Sequence, residues 1–279
     1  MRIIKSFARN WCPPIVKSWL QHASSPPHIN FPSECSSWSE AESICSGYDS
    51  QEIVNKVLAT TLKVKSGEYA YERDSVGFSS IEYSWPVLCG LLLAANANAN
   101  KLSVLDFGGS LGSSYFQNQK FLSQLSSINW SVVEQLAFVN AGKEKIASND
   151  LHFYPSINEC LLKRHPNVIL LSSVLQYINN YHSVLDQVTA IGADFIIVDR
   201  TPFLKAGDKE KIFIQKVPET IYQASYPCRF FVEKNFLQYF ESREYELCES
   251  FSSLDDLDDR AIWKGFIFRK MGNGVEKVV

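Results

Sequence analysis

Three acids and a short run of glycines mark where chemistry is concentrated in this chain. In VLDFGGSLGSSYF (104–116) an apolar run ends at Asp106, Gly108 and Gly109 follow, and Gly112 precedes a stretch that reads as helix. Glycines so spaced let the backbone approach a ligand closely and turn sharply into a helix. Alone, the spacing is weak, because similar turns also serve packing. A phosphate group, a nicotinamide cofactor and S-adenosylmethionine (SAM) all fit such a turn.

Charge separates these ligands. No Lys or Arg occurs from 102 to 119, and no G-K-[ST] follows the glycines, so the phosphate-binding loop is excluded. Asp106 would repel phosphate and favour a ligand bearing an ammonium and a sulfonium; it also reads as a turn former. Glu134, in WSVVEQ (130–135), ends the next apolar run. An acid there can accept hydrogen bonds from ribose hydroxyls, in a dinucleotide or in SAM alike; it also reads as a surface acid. Hydride chemistry of the short-chain type needs a Tyr with a Lys four residues later, and none of the 12 tyrosines has one. Asp199, in ADFIIVDR, ends another apolar run; it reads as a weak candidate base or as a structural carboxylate paired with an Arg.

These residues need elements to hold them. From residue 101 apolar strand patterns alternate with helical ones: KLSVLDF, NWSVVEQ, LHFY, NVILLSSV and ADFIIVDR, with helices between. Such alternation implies βαβ units and a parallel sheet with helices on both faces. VEKNFLQYFES then predicts a helix, followed by strands EYELCESF and AIWKGFIFRK, an antiparallel hairpin joined by SLDDLDDR. Asp255, Asp256, Asp258 and Asp259 in that turn read as a solvated loop and not as a metal site. Before residue 101, the Ser/Pro-rich 24–40 reads as loop, with a helix after Ser39. Ile53, Val54, Val57, Leu58 and Leu62 form a helical stripe closed by Gly67, and IEYSWPVLCGLLLAANA reads as a further helix.

Composition narrows the class. Of 279 residues 46% are apolar, with a formal net charge of −3, which argues against a nucleic-acid binder. Seven cysteines without a C-x-x-C pair argue against a disulfide framework or structural zinc and point to a reducing, cytoplasmic setting. No apolar run is long enough to span a membrane, and no signal peptide is read. Arg2, Lys5, Arg9 and Lys17, interleaved with apolar residues over 1–20, read as an arm packed on the body or as a weak contact with an anionic membrane surface.

SGYDS (46–50), YERDSVGF (71–78), VLDFGGSLGSSYF, WSVVEQ, LLSSVLQYI (170–178), VDRTPF (198–203) and SYPCRFF (225–231) together resemble a SAM-dependent methyltransferase family associated with surface-polysaccharide (O-antigen/LPS) gene clusters. The resemblance covers about residues 38–231. It implies SAM contacts at Asp106, Gly108, Gly109, Gly112 and Glu134 and near Ser172 and Ser173, with Ser110 and Gln135 beside them. Two departures stand out. Ser110 occupies a position where glycine is common. LHFYPS offers no acid for the adenine amine, so Phe153 or Tyr154 is expected to line that pocket.

The expected architecture is α/β: a three-layer, Rossmann-like class I methyltransferase sheet over 101–279, mostly parallel with a C-terminal antiparallel hairpin, and a helical extension over 1–100 that covers the site. The expected cofactor is SAM, and the acceptor is a small molecule or saccharide, methylated on oxygen. Tyr71, Arg73, Asp74, Tyr177, Arg200, Tyr226 and Arg229 are the expected acceptor contacts, the arginines suited to carboxylate or phosphate and the aromatics to sugar faces; an Arg73–Asp74 capping network is the alternative. A nicotinamide-dependent oxidoreductase and a non-catalytic SAM-binding protein remain as alternatives. No metal and no oligomeric state are assigned.

Overall fold

A computed structural model of the protein describes residues 29–45, 50–218 and 224–272. The basic arm over 1–20 and most of SGYDS lie outside the described residues.

Seven strands form the central sheet: β4 (Lys101–Phe107), β5 (Ser127–Val133), β6 (Leu151–Tyr154), β7 (Val168–Ser172), β8 (Phe195–Leu204), β11 (Tyr245–Ser252) and β12 (Ala261–Lys270). Their spatial order is β11-β12-β8-β7-β4-β5-β6. β4 to β8 run parallel, and β12 is antiparallel to both β8 and β11. The last strand is thus inserted between two earlier ones.

Alternation along the strands explains the layers. Leu102, Val104, Leu170 and Ile197 point into one core with Trp130 and Phe153. Leu105, Ile169, Leu171, Ile196 and Val198 point into the other. Each strand is apolar on both faces, as a doubly covered parallel strand must be. On the first face lie α2 (Ser50–Lys65), α3 (Trp85–Ala97), α4 (Ser113–Leu122) and α5 (Leu136–Ala141), whose last turn widens into a π-helix over Gly142–Ile146. α6 (Ile157–Leu161), α7 (Tyr181–Ile191) and α8 (Glu233–Ser242) cover the other. The αL glycine at 192 closes α7.

The extension is not purely helical. It contains β1 (Asn30–Cys35), where a loop was expected, and a two-residue hairpin of β2 (Tyr71–Arg73) and β3 (Val76–Phe78). α1 (Trp38–Ile44) begins earlier than expected: Ser37, not Ser39, is its cap, its hydroxyl accepting from the Glu40 amide at 3.2 Å. β1 pairs antiparallel with β9 (Lys211–Val217), which pairs with β10 (Ala224–Phe230), and the three make a second sheet in the order β1-β9-β10. Pro32 and Pro227 obscured this sheet in the sequence. Both lie in its edge strands, where a residue without N–H is tolerated.

Candidate functional site

The carboxyl ends of β4, β5, β7 and β8 open on a cavity of about 700 Å³. At one end the glycine turn lines it through Asp106, Gly108, Gly109 and Ser110, joined by Glu134 and Gln135 after β5, Pro155–Ile157 after β6, and Ser172 and Ser173 at the tip of β7. At the other end stand Tyr71, Glu72, Arg73 and Asp74 of the hairpin, Tyr177, Asp199 and Arg200, Gln215 and Tyr226 of the second sheet, and Asp255 and Trp263 of the C-terminal hairpin. Ile53 and Val57 of α2 also line it.

At the glycine turn, Asp106 is buried and accepts a hydrogen bond from the Trp130 indole N–H at 2.9 Å. Burial pushes its carboxyl up to about 7. Gly109 makes room for it, since a Cβ there would lie 2.4 Å from the Asp106 carboxyl carbon. Gly108 has φ +73, and a Cβ on it would lie 2.4 Å from Val174. The Glu134 carboxylate takes the Gln135 amide at 2.5 Å and also the Ser110 amide, while burial raises its pKa. The acid after β5 therefore holds the glycine turn as well as facing the cavity. Gly112 is set apart: its φ of +90 starts α4, its nearest neighbour is Leu151, and it does not line the cavity.

Ser110, where glycine is common, has φ +55. It is not alone. Eight non-glycine residues among those described have positive φ, and Asp74, Ser110, Ser173 and Arg200 of these line the cavity. Left-handed backbone is costly for residues with a Cβ and gathers where a site imposes it.

Asp199 and Arg200 owe their common orientation to a β-bulge. Val198 pairs with Phe266 and Thr201 with Lys264, so two residues of β8 face the single Gly265 of β12. A regular strand would send neighbours to opposite faces. Here Arg200 takes φ +53, and both side chains line the cavity. Asp199 does not end its strand, and it is not paired with Arg200 in the ion-pair network. Arg200 instead donates to Asp255 at 2.6 Å and to Asp74 at 3.2 Å. Burial pushes the Asp199 carboxyl up to about 7.

Several sequence expectations change at the hairpin end. The acidic turn is not a solvated loop throughout: the Asp255 side chain is only 6% exposed and lies between Arg200 and Arg73, the latter at 3.6 Å. Arg73 and Asp74 thus form no capping network with each other. Asp258 pairs with Arg260 at 2.6 Å. Arg229 does not line the cavity. It pairs with Glu210 at 3.0 Å, donates to the Asn179 carbonyl, and sits over the rings of Trp38 and Tyr181. Phe153 and Tyr154 do not line it either. Phe153 packs under Gly142, and Tyr154 accepts from Arg164 at 3.1 Å, leaving Pro155, Ser156 and Ile157 at that wall.

Tyr177 and Tyr226 meet edge to face at 5.2 Å and share Gln215: Tyr177 donates to its carbonyl oxygen, and its amide donates to the Tyr226 hydroxyl, both at 3.1 Å. Sequence reasoning missed Gln215 and Glu72. Glu72 is buried, with its carboxyl pushed up to about 7 by burial. It accepts from the Ser113 hydroxyl at 2.5 Å and the Ser75 amide at 2.9 Å, latching the hairpin onto the first residue of α4. Its signal was in plain view within YERDS, between two residues that were singled out.

A seven-strand sheet in this order, with its one reversed strand second from the edge, has the class I methyltransferase fold. The N-terminal domain of EvdMO1, solved in the presence of S-adenosylhomocysteine (SAH) and D-fucose, superposes with a TM-score of 0.50 at 11% identity, covering 81% of this chain and 98% of that one. Magnesium protoporphyrin IX methyltransferase from Synechocystis PCC 6803, with bound SAM, gives a TM-score of 0.45 at 10% identity over 81% of this chain and 99% of that one. No protein-family model and no curated protein matches the sequence.

Proposed function

We propose that the protein is a SAM-dependent methyltransferase acting on a small or saccharide acceptor. One observation carries the reading: the glycine turn is flanked by two strand-end acids, Asp106 and Glu134, and among the described residues no Lys or Arg lines that end of the cavity. A dinucleotide would bring a pyrophosphate to this turn with no cation to meet it. SAM brings an ammonium, a sulfonium and a ribose, and the residues present fit it: Glu134 for the ribose hydroxyls, Gly108, Gly109 and Ser110 for close backbone approach, and Ser172 and Ser173 on the opposite rim. Bound SAM supplies a methyl group on sulfur, which passes to the acceptor's heteroatom as the bonding pair stays with sulfur. The volume, about 700 Å³, lies within the range of sites that enclose small ligands and extends beyond the glycine turn to a second polar, aromatic end.

That second end is where the acceptor binds in this reading, bordered by Tyr71, Asp74, Tyr177, Arg200 and Tyr226. Its tyrosines suit the C–H faces of a sugar. The EvdMO1 domain, a protein of the same fold, was solved in the presence of SAH and D-fucose; O-methylation of a sugar, as in surface-polysaccharide synthesis, is the reading adopted for this chain. Thermal shift and calorimetry with SAM, SAH, NAD and NADP test the cofactor. Stabilisation by SAM and SAH is expected; stabilisation by NAD or NADP alone would overturn the reading. SAM binding without methylation of any member of a sugar panel would favour the non-catalytic alternative.

A further inference from the structure

Four carboxylates and two guanidinium groups meet at the hairpin end of the cavity, and the way they pair restricts what can bind there. Arg200 is held by Asp255 and Asp74, and Arg73 faces Asp255. Both arginines are therefore already neutralised by the protein. Glu72 uses its two oxygens on Ser113 and Ser75.

Asp199 differs. It is 4% exposed and lines the cavity, yet its Oδ1 has no hydrogen-bond partner among the described residues. The Thr201 hydroxyl beside it donates to the Asp199 backbone carbonyl, not to the carboxylate. A buried carboxylate oxygen without a donor is costly until something supplies one. An anionic ligand would meet that oxygen with like charge and would have to displace an acid from a partly buried arginine. A ligand with an O–H or N–H completes the site instead.

Resting on the methyl-transfer reading above, we propose that the acceptor bears no anionic group at this end, donates a hydroxyl or amine hydrogen to Oδ1 of Asp199, and loses that proton to it. The O–H or N–H bond breaks, its electron pair remains on the heteroatom to receive the methyl group, and the proton joins Asp199 before passing to solvent. The upward shift of the Asp199 carboxyl suits this task. Burial drives it, with Asp255 in the same direction and Arg200 and Arg73 opposing; a carboxylate that holds a proton near neutral pH is a better base than one in water.

The test uses the whole protein saturated with SAH, whose binding is measured first by calorimetry. Matched probes follow by ligand-observed NMR: glucose against glucose 6-phosphate, galactose against galacturonate, and glucosamine as the amine arm. The neutral or amine probe should bind at least about tenfold more tightly than its anionic counterpart. In carboxyl-labelled protein, one aspartate signal titrating near neutral pH should move when that probe is added and be missing in Asp199→Asn. An anionic probe binding as well as its partner, no probe binding, or no aspartate signal responding overturns the proposal. Failure of SAH to bind instead overturns the methyl-transfer reading itself, so the two are told apart.

Discussion

The Nε of Arg200 lies 2.6 Å from Oδ2 of Asp255, and this bond joins the bulge of β8 to the loop before β12 across a sequence separation of 55 residues. It fixes which charges remain available in the cavity, because the same carboxylate also faces Arg73. Removing it leaves a mostly buried guanidinium short of its main partner. Asp255→Asn should therefore destabilise the protein by about 3 kcal/mol, a fall in Tm of roughly 5 °C. Asp256→Asn, at an exposed neighbour outside this network, should change Tm little. Thermal unfolding of the two variants side by side checks the contrast.

Glu134 offers a cleaner handle on cofactor affinity, since it sits at the rim and not in the core. Glu134→Gln keeps the side-chain shape and an acceptor oxygen but removes the charge. Charge-assisted hydrogen bonds contribute about 1.5–3 kcal/mol, so SAH should bind roughly 10- to 100-fold more weakly, with the association rate changing less than the dissociation rate. Calorimetry and stopped-flow binding measure this. Undiminished affinity would remove Glu134 from the ribose contact.

Three buried carboxyls, Glu72, Asp106 and Asp199, are each pushed up to about 7. In the unfolded chain they release their protons near pH 4, whereas the native protein holds them until about 7. Between these limits the folded state binds more protons, so raising the pH favours unfolding. The stability these groups lend is complete below about pH 4 and is lost as pH rises through 7. Ligand-free Tm should fall by several degrees from pH 5 to pH 8. Asp106→Asn, which can still accept the Trp130 N–H, should flatten that slope. A Tm that rises across this range would contradict the assignment.

Ser110 tests the cost of a constrained backbone. At φ +55 its Cβ is strained, while the Ser110 amide already serves Glu134. Ser110→Gly should relieve about 1–2 kcal/mol of strain, less roughly 0.5–1 kcal/mol for added freedom of the unfolded chain, and raise Tm slightly. Gly108→Ala should lower it, because the new Cβ would lie 2.4 Å from Val174. Differential scanning calorimetry resolves both signs.

Much of this arrangement can be read from the chain before any coordinates. Asp106, Gly108, Gly109 and Glu134 were legible because they end or directly follow apolar runs, and strand ends are where α/β sheets bind ligands; Gly112 was grouped with them by spacing alone. The five parallel strands and the terminal hairpin followed from the same periodicity. What escaped shares one physical cause. The hairpin of β2 and β3 turns at Asp74–Ser75, both with positive φ, without the glycine that usually signals such a turn. β1 and β10 carry prolines, and the partner of β1 is β9, far along the chain. Asp255 looked solvated because its two arginines are more than 50 residues away. Local pattern reports local structure; burial of charge through distant pairing leaves no local trace.

The position of β12 also has a bearing on the order of assembly. It follows every other strand of the central sheet in sequence yet takes an inner place, between β8 and β11. A sheet growing outward from β4 can complete the glycine turn, Glu134 and the tip of β7 from residues already present. It stops at β8 until Ala261–Lys270 arrives, and Asp255 and Trp263 come into place with that strand. Contacts between such distant segments form slowly. In such growth the glycine-turn end of the cavity needs only residues up to β7, while the end bearing Asp255 and Trp263 waits for the last strand.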